Sequence, residues 1–189
     1  MTRTGTLLAL ALLAAVAAPA RAQEPPEKAA LCAACHGAAG VPINPETPVI
    51  WGQNAGYIYI QLRDFKAGHR RNPQMSPIAE SLDKQEMKDL AMYFADQPWP
   101  NLQQPLPPRD DITRADSVNN QAACKSCHLD DWHGDSGTPR LAGQSSTYLK
   151  ATMQAFRSGA RTNNPSMAAL LGSYSDRDIE AVARFLASQ

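Results

Sequence analysis

One short pattern occurs twice in this chain: a cysteine, two further residues, a second cysteine and a histidine. It occupies residues 32–36 and again residues 124–128, and the two copies use all four cysteines. Two cysteines three positions apart on a helical turn point to the same side, so both sulfurs can reach one edge of a porphyrin. The histidine that follows can offer a ring nitrogen to the iron. The pattern therefore predicts two sites of covalent haem c attachment.

Cysteine pairs of this spacing also occur in zinc sites and in redox-active dithiols. A zinc site would need the pairs to converge across 124 − 32 = 92 residues and would leave both histidines unexplained. A thioredoxin-like dithiol expects a βαβ pattern, and no segment here shows sustained strand alternation. Haem is favoured. The predicted attachment residues are Cys32, Cys35, Cys124 and Cys127, and the predicted proximal iron ligands are His36 and His128.

The first 22 residues are predicted to be an export signal. Arg3 precedes an apolar run at 7–18, which is too short to span a bilayer, and Ala20-Arg21-Ala22 fits a cleavage site. A retained membrane anchor is the alternative. Because haem c is attached outside the cytoplasm, export and the haem motif support each other. We expect a soluble periplasmic protein that is cleaved after Ala22.

The net charge of the chain bears on which partners it can bind. Without Arg3 and Arg21 the chain has 18 − 2 = 16 basic against 18 acidic residues. This balance predicts no nucleic-acid partner, and no polybasic patch for a membrane surface is present in the sequence. Transient association with membrane complexes is compatible with it.

The haem motifs belong to a longer internal repeat. Residues 48–53 fall on 139–144 at an offset of 139 − 48 = 91, and residues 72–75 fall on 164–167 at an offset of 92. One deletion and one insertion explain the drift, so the chain is a tandem duplication. The further matched pairs are Tyr57 with Tyr148, Phe65 with Phe156, Gly68 with Gly159 and Arg70 with Arg161. The predicted units are a signal peptide (1–22), a first module (23–97), a proline-rich linker (98–108) and a second module (109–189).

Both modules are predicted to be all-α, with about three main helices around a covalently bound haem. The first helix carries the haem motif, at about 26–36 and 117–128. The second runs from about 55 to 67 and shows an apolar stripe at the helical period; the stripe residues are Ile58, Leu62 and Phe65 in the first copy and Leu149, Met153 and Phe156 in the second. The third begins at Asp83 or Ser175 with a capping-box pattern. The linker, with five prolines in eleven residues, predicts an extended, semi-rigid spacer.

An iron held by one histidine needs a sixth ligand unless it is catalytic. The repeat selects among the methionines, because only Met75 and Met167 pair with each other. Both follow Asn-Pro in a predicted loop, and both lie 39 residues after their histidine (75 − 36 and 167 − 128). Met75 and Met167 are therefore the predicted distal ligands. His69 and His133 have no histidine counterpart and are predicted to be exposed loop residues.

Pro48 and Pro139 follow the two haem motifs at similar distances. Their carbonyls could accept the ring N–H of the proximal histidines and fix the ring orientation. A simple turn proline is the alternative.

The chain resembles the dihaem cytochrome c4 family. The resemblance covers essentially the whole mature chain and rests on CAACHG, P-x-x-x-G-Q-x-x-x-Y, F-x-x-G-x-R, the Asn-Pro-x-Met segment and the duplication. It implies two class I cytochrome c domains related by a pseudo-twofold axis, with two neighbouring haems ligated by His36 with Met75 and by His128 with Met167. Trp51 opposite Ala142 and the long linker depart from the pattern.

Two filled axial positions leave no place for a substrate on the iron, so the predicted function is electron transfer and not catalysis. The expected partners are redox proteins, for example a quinol-oxidising complex as donor and a terminal oxidase or reductase as acceptor. One alternative is a dihaem subunit of a larger oxidoreductase, such as a flavocytochrome sulfide dehydrogenase. A haem enzyme such as a peroxidase or a thiosulfate-oxidising cytochrome fits less well, because the former is larger and the latter needs an additional cysteine.

Overall fold

The computed structural model describes residues 24–189, and the predicted signal peptide lies outside the described residues. Helices account for all the regular structure in this part of the chain, without any strand, so the prediction of an all-α fold is confirmed. The helices are α1 (Ala29–His36), α2 (Ala55–Lys66), α3 (Met75–Glu80), α4 (Lys84–Ala95), α5 (Arg109–Gln121), α6 (Lys125–His128), α7 (Ser146–Arg157), α8 (Pro165–Leu171) and α9 (Asp176–Ala187).

The second helix of each copy buries the stripe that the sequence predicts. Ile58, Leu62 and Phe65 are buried on α2, and their counterparts on α7 are buried in the same way. Gly68 and Gly159, just beyond these helices, both have φ near +75°. A left-handed residue after the C-cap is the usual way to end a helix, and glycine adopts it without a steric penalty.

Capping boxes start the last helix of each copy, as predicted. In α4 the Asp83 side chain accepts from the amide of Glu86, and the Glu86 carboxylate accepts from the amide of Asp83. Ser175 and Asp178 make the same reciprocal pair in α9. α4 packs on α2, and α9 packs on both α5 and α7, so each copy has its own apolar core.

The helix that precedes the second haem motif differs from its prediction. α5 begins at Arg109, immediately after Pro108 and well before the expected start at 117. It ends at Gln121, and Ala123, with φ of +50°, separates it from α6. The polar segment 109–116 joins the helix because its acidic first turn suits a helix N-terminus and Ala115 is buried against the core.

Two short helices, α3 and α8, occupy segments that were predicted as loops. Asn72 accepts from the amide of Met75 at 2.9 Å, and Asn164 accepts from the amide of Met167 at 3.2 Å. In α8 the proline that follows Asn164 stands at the first helical turn, where a missing N–H does no harm. The Asn-Pro pair thus caps the start of α8 and lies in the turn just before α3, and each methionine lies in a first helical turn.

The linker, residues 98–108, forms no helix and contacts both copies. Trp99 packs against Gly52 of the first copy, and its indole nitrogen lies close to Gly143, the equivalent glycine of the second. Gln104 donates to the carbonyl of Gln144 at 2.9 Å and accepts from the amide of Ser146 at 2.7 Å. These contacts hold the linker against both copies. Within residues 24–189, no helix is long and apolar enough to cross a membrane.

Candidate haem-binding sites

His36 is the last residue of α1, where it is only 6% exposed. Its Nδ1 lies 2.8 Å from the carbonyl oxygen of Pro48. Burial lowers the pKa of His36, and the Pro48 carbonyl opposes that shift in part. A neutral ring whose Nδ1–H donates to Pro48 keeps a lone pair on Nε2, which is the form that binds iron.

His128 repeats this arrangement at the end of α6. It is also 6% exposed, and its Nδ1 lies 3.1 Å from the carbonyl oxygen of Pro139. Burial again lowers the histidine pKa, against the effect of the carbonyl. Both proline carbonyls therefore lie where the sequence predicted them, within hydrogen-bond distance of a histidine Nδ1, and their effect on ring orientation stays a prediction.

The cysteines of each motif differ in exposure. Cys32 and Cys124 are partly buried and pack against the core of their own copy, whereas Cys35 and Cys127 are exposed. Burial raises the pKa of Cys32 to about 11 and raises that of Cys124 as well. In residues 24–189, no three His, Cys, Asp or Glu side chains gather as a metal site would require. The two pairs therefore do not converge on a zinc site.

Met75 and Met167 are partly buried at the edge of the two cores. Met75 packs against the same apolar cluster as Cys32, and Met167 against the same cluster as Cys124. Each core thus carries one methionine and one motif cysteine on its surface. The two remaining histidines, His69 and His133, are exposed as predicted.

A tight turn follows each histidine. Gly37 has φ of +90°, and a Cβ there would lie 2.0 Å from the carbonyl oxygen of Val41. Only glycine fits this close approach. The second copy places Leu129 at the equivalent position with φ of +65°, an uncommon conformation for a residue with a side chain.

Between the two copies lies a cluster of two arginines and two tyrosines. Arg70 donates to the Tyr148 hydroxyl at 3.1 Å, and Arg161 donates to the Tyr57 hydroxyl at 3.3 Å. Each guanidinium also stacks on a phenylalanine of its own copy. Since Arg70 matches Arg161 and Tyr57 matches Tyr148 in the repeat, the contacts are reciprocal, as a pseudo-twofold axis requires.

The carboxylate next to this cluster, that of Asp64, pairs with Arg63 and accepts from Asn163, which itself accepts from Arg161. Among the described residues, neither Arg70 nor Arg161 forms an ion pair with a carboxylate, although Arg161 is buried. Burial raises the pKa of Tyr148, but the two guanidiniums outweigh it and lower that pKa overall. A buried cation that forms no ion pair, such as Arg161, suits an anionic ligand. The propionates of a haem are anions of this kind.

The residues present therefore fit haem c. Each of the two copies offers paired thiols, a buried imidazole whose Nδ1 lies against a proline carbonyl, and an apolar core, and one arginine–tyrosine cluster lies between the copies. The sequence reasoning noted the Gln, Tyr and Arg of the repeated blocks but assigned them no role. These residues match between the copies at a constant offset of 91. Residues that are kept in both copies outside the haem motif suggest a contact that both copies make, and this match could have predicted it.

The C-terminal part of the chain, residues 113–189, matches the family model described as cytochrome c. The whole chain is similar to cytochrome c4 of Pseudomonas aeruginosa, with 32% identity over 95% of this chain and 94% of that protein. It is 33% identical to a thiosulfate dehydrogenase electron acceptor of Stutzerimonas stutzeri, over 83% of this chain and 78% of the other. The structure of cytochrome c4 from Acidithiobacillus ferrooxidans superposes with a TM-score of 0.77 at 27% identity, covering 85% of this chain and 99% of that one.

Proposed function

Because the chain belongs to the cytochrome c4 family, we propose that it is a periplasmic electron carrier with two haem irons, each ligated by a histidine and a methionine. As a member of this family it carries covalently bound haem c and acts in electron transfer. When bound, haem c supplies an iron that cycles between Fe(II) and Fe(III). The proposed thioether attachments are Cys32 with Cys35 and Cys124 with Cys127; the proposed ligand pairs are His36 with Met75 and His128 with Met167.

The observation that carries the proposal is the state of the two histidines. Both are buried, both have the pKa lowered by burial, and both have Nδ1 against a proline carbonyl. In each site Nε2 is left as the metal-binding nitrogen. Met75 and Met167, on the same cores, supply a second ligand of the type that raises the potential of cytochromes c. Two protein ligands per iron leave no coordination position for a substrate, which favours a carrier over an enzyme.

Substitution of the methionines tests the ligand assignment. In the exported holoprotein, Met75→Leu and Met167→Leu should each open one iron, which would then bind carbon monoxide or cyanide and lose half of the weak long-wavelength band of methionine–Fe(III) bonds. Met92→Leu is the matched control, because Met92 is 57% exposed on α4 and lies away from the core. A Met75→Leu protein that keeps the full parental spectrum would refute the assignment.

The periplasmic location depends on the N-terminal segment, which lies outside the described residues. Expression with its own N-terminus should yield a mature protein that begins at residue 23, with the mass of two haems added. N-terminal sequencing and intact-mass measurement of the periplasmic fraction check both points. A protein that keeps residues 1–22 in the membrane fraction would contradict cleavage.

A second candidate function is that of a partner or subunit of one enzyme, instead of a free electron carrier. Similarity to a thiosulfate dehydrogenase electron acceptor suggests that the chain receives electrons from an enzyme of that class, as a partner or a subunit. A flavocytochrome sulfide dehydrogenase stays a second example of such a complex. Rapid reduction of the purified protein by a thiosulfate dehydrogenase with thiosulfate, together with stable co-purification, would support a subunit. Reduction without co-purification would support a carrier.

A further inference from the structure

Two glutamines join the halves of the molecule in the same way. Gln53 accepts from the amide of Arg140 at 2.7 Å and donates to the carbonyl of Arg140 at 3.0 Å. Gln144 accepts from the amide of Val49 at 2.9 Å and donates to the carbonyl of Val49 at 3.0 Å. Gln53 matches Gln144 in the repeat and Val49 matches Arg140, so the two contacts are one contact related by the pseudo-twofold axis.

The residue that each glutamine binds comes directly after a proline whose carbonyl contacts a histidine Nδ1. The Pro139–Arg140 peptide group uses its carbonyl for Nδ1 of His128 and its N–H for Oε1 of Gln53. The Pro48–Val49 peptide group uses its carbonyl for Nδ1 of His36 and its N–H for Oε1 of Gln144. A single peptide group in each half therefore links a histidine to a glutamine of the other half.

Hydrogen bonds in such a series strengthen one another. When the N–H of a peptide donates to an amide oxygen, the carbonyl oxygen of that peptide becomes more negative. Each added hydrogen bond in a series strengthens the next by about 10–30%. That carbonyl then accepts more strongly from the histidine N–H, and the ring becomes a more basic ligand. A more basic ligand favours Fe(III) over Fe(II) and lowers the reduction potential.

Solvent does not substitute for the glutamines. Gln53 is 3% exposed, Gln144 is 2% exposed and Val49 is 1% exposed. Loss of the amide would leave a buried N–H without its partner, and the peptide would be free to rotate about its flanking bonds. The contacts thus set both the strength and the direction of the proline carbonyl.

We propose that each half of the molecule tunes the iron of the other half: Gln53 acts through the Pro139–Arg140 peptide on His128, and Gln144 acts through the Pro48–Val49 peptide on His36. Both glutamines are positioning residues, because they act through another group. The proposal rests on the proposed ligation by His36 and His128. Reduction at one iron and the packing of the two halves are consequently linked through these peptide groups.

The test uses Gln53→Met and Gln144→Met in the dihaem holoprotein. Methionine keeps the length of the side chain and removes both hydrogen-bonding groups. The potential of each haem is followed by NMR during a redox titration, with the haem signals assigned to a half through their contacts with residues near each motif. Gln53→Met should shift the haem of the second half toward Fe(II) by about three- to tenfold in its reduction equilibrium, and Gln144→Met that of the first half.

Asn54→Ala is the matched control. Asn54 lies next to Gln53 and also crosses between the halves, donating to the carbonyls of His133 and Thr138. It does not contact the Pro139–Arg140 peptide, so its loss should leave the second haem within about twofold of the parent equilibrium, well below the effect of Gln53→Met.

The crossed pattern decides the outcome. Equal shifts of both haems, a shift confined to the mutated half, or an equal effect of Asn54→Ala would each overturn the proposal. If Gln53→Met does not accumulate, Gln53→Asn keeps a polar side chain but is one methylene shorter, so its amide is withdrawn from the Pro139–Arg140 peptide and the same crossed shift is expected. A parent protein without the methionine–Fe(III) band would instead refute the ligation, so the two failures are separable.

Discussion

The two haem motifs lie on the same scaffold in different surroundings. From residue 29 to 45 the first motif is flanked by no Asp, Glu, Lys or Arg, and Val41 and Ile43 beside it are 52% and 67% exposed. Around the second motif stand Lys125, Asp130, Asp131 and Asp135. The duplication kept the histidine, its proline and the glutamine contact, and it changed the surface. What both halves retain surrounds the two histidines, and what differs lies on the surface beside them.

A tryptophan shows how the halves diverge without loss of packing. In the first half Trp51 packs on Gly40, where a Cβ would lie 2.8 Å from the indole. In the second half the position matching Gly40 is Trp132, which is buried, and the position matching Trp51 is Ala142, which packs in the same cluster. The large and the small residue have exchanged places. Interiors tolerate such a change when the total volume is kept.

The largest expected effect comes from removing one haem at a time. We expect the double variant Cys32→Ser/Cys35→Ser to lose one haem mass and the cooperative unfolding of the first half, because a module of this size buries a thin core by itself. Cys124→Ser/Cys127→Ser should leave more residual structure in its own half, since α5 and Trp132 belong to that core. Intact mass and circular dichroism melts measure both. Unchanged melting of either variant would show that haem is not a core component.

Truncation of the two tryptophans compares the exchanged positions. Trp132→Ala should cost about 3–5 kcal/mol of unfolding free energy, because the indole is 3% exposed. Trp51→Ala should cost less, since Trp51 is only partly buried. Denaturant titrations of the holoproteins give both values. Equal losses of unfolding free energy would mean that the two indoles contribute equally to stability, which would contradict the prediction made from their difference in burial.

The turn after each histidine can be exchanged between the halves. Leu129→Gly should stabilise the protein by about 1 kcal/mol, because φ of 65° with ψ of 169° costs a residue with a side chain about 1–3 kcal/mol and glycine loses part of that gain to chain entropy. Gly37→Ala should destabilise it by more, since its Cβ would meet the Val41 carbonyl. Thermal melts rank the three proteins. Destabilisation by Leu129→Gly would indicate that the exposed leucine side chain makes contacts worth more than the strain.

The smallest expected effect concerns charge near the second motif. Lys125 lies 5.4 Å from the Trp132 ring and 3.7 Å from the exposed Asp130 carboxylate. Lys125→Gln removes a cation and should lower the potential of the second haem by less than the 59 mV of a tenfold change, with the first haem unaffected. High salt should shrink the shift, because exposed charges are screened. An equally large shift at the first haem would contradict the prediction that Lys125 acts on the second haem alone.

Local patterns of the sequence predicted much of this molecule. The haem motif, the buried stripes of α2 and α7 and the capping boxes of α4 and α9 each depend on residues three or four positions apart, so their geometry follows from the helix period alone. The duplication extended this reasoning, since a contact inferred once could be sought a second time at the same offset.

The tertiary structure decided the contacts between positions that no local period relates. Gln53 and Gln144 bind backbone groups 87 and 95 residues away, and the linker closes against both halves through Trp99 and Gln104. The sequence determined two haem modules, because helix formation and motif chemistry are local. Only the folded chain determined that each module completes the surroundings of the other's histidine, because that depends on which surfaces pack together.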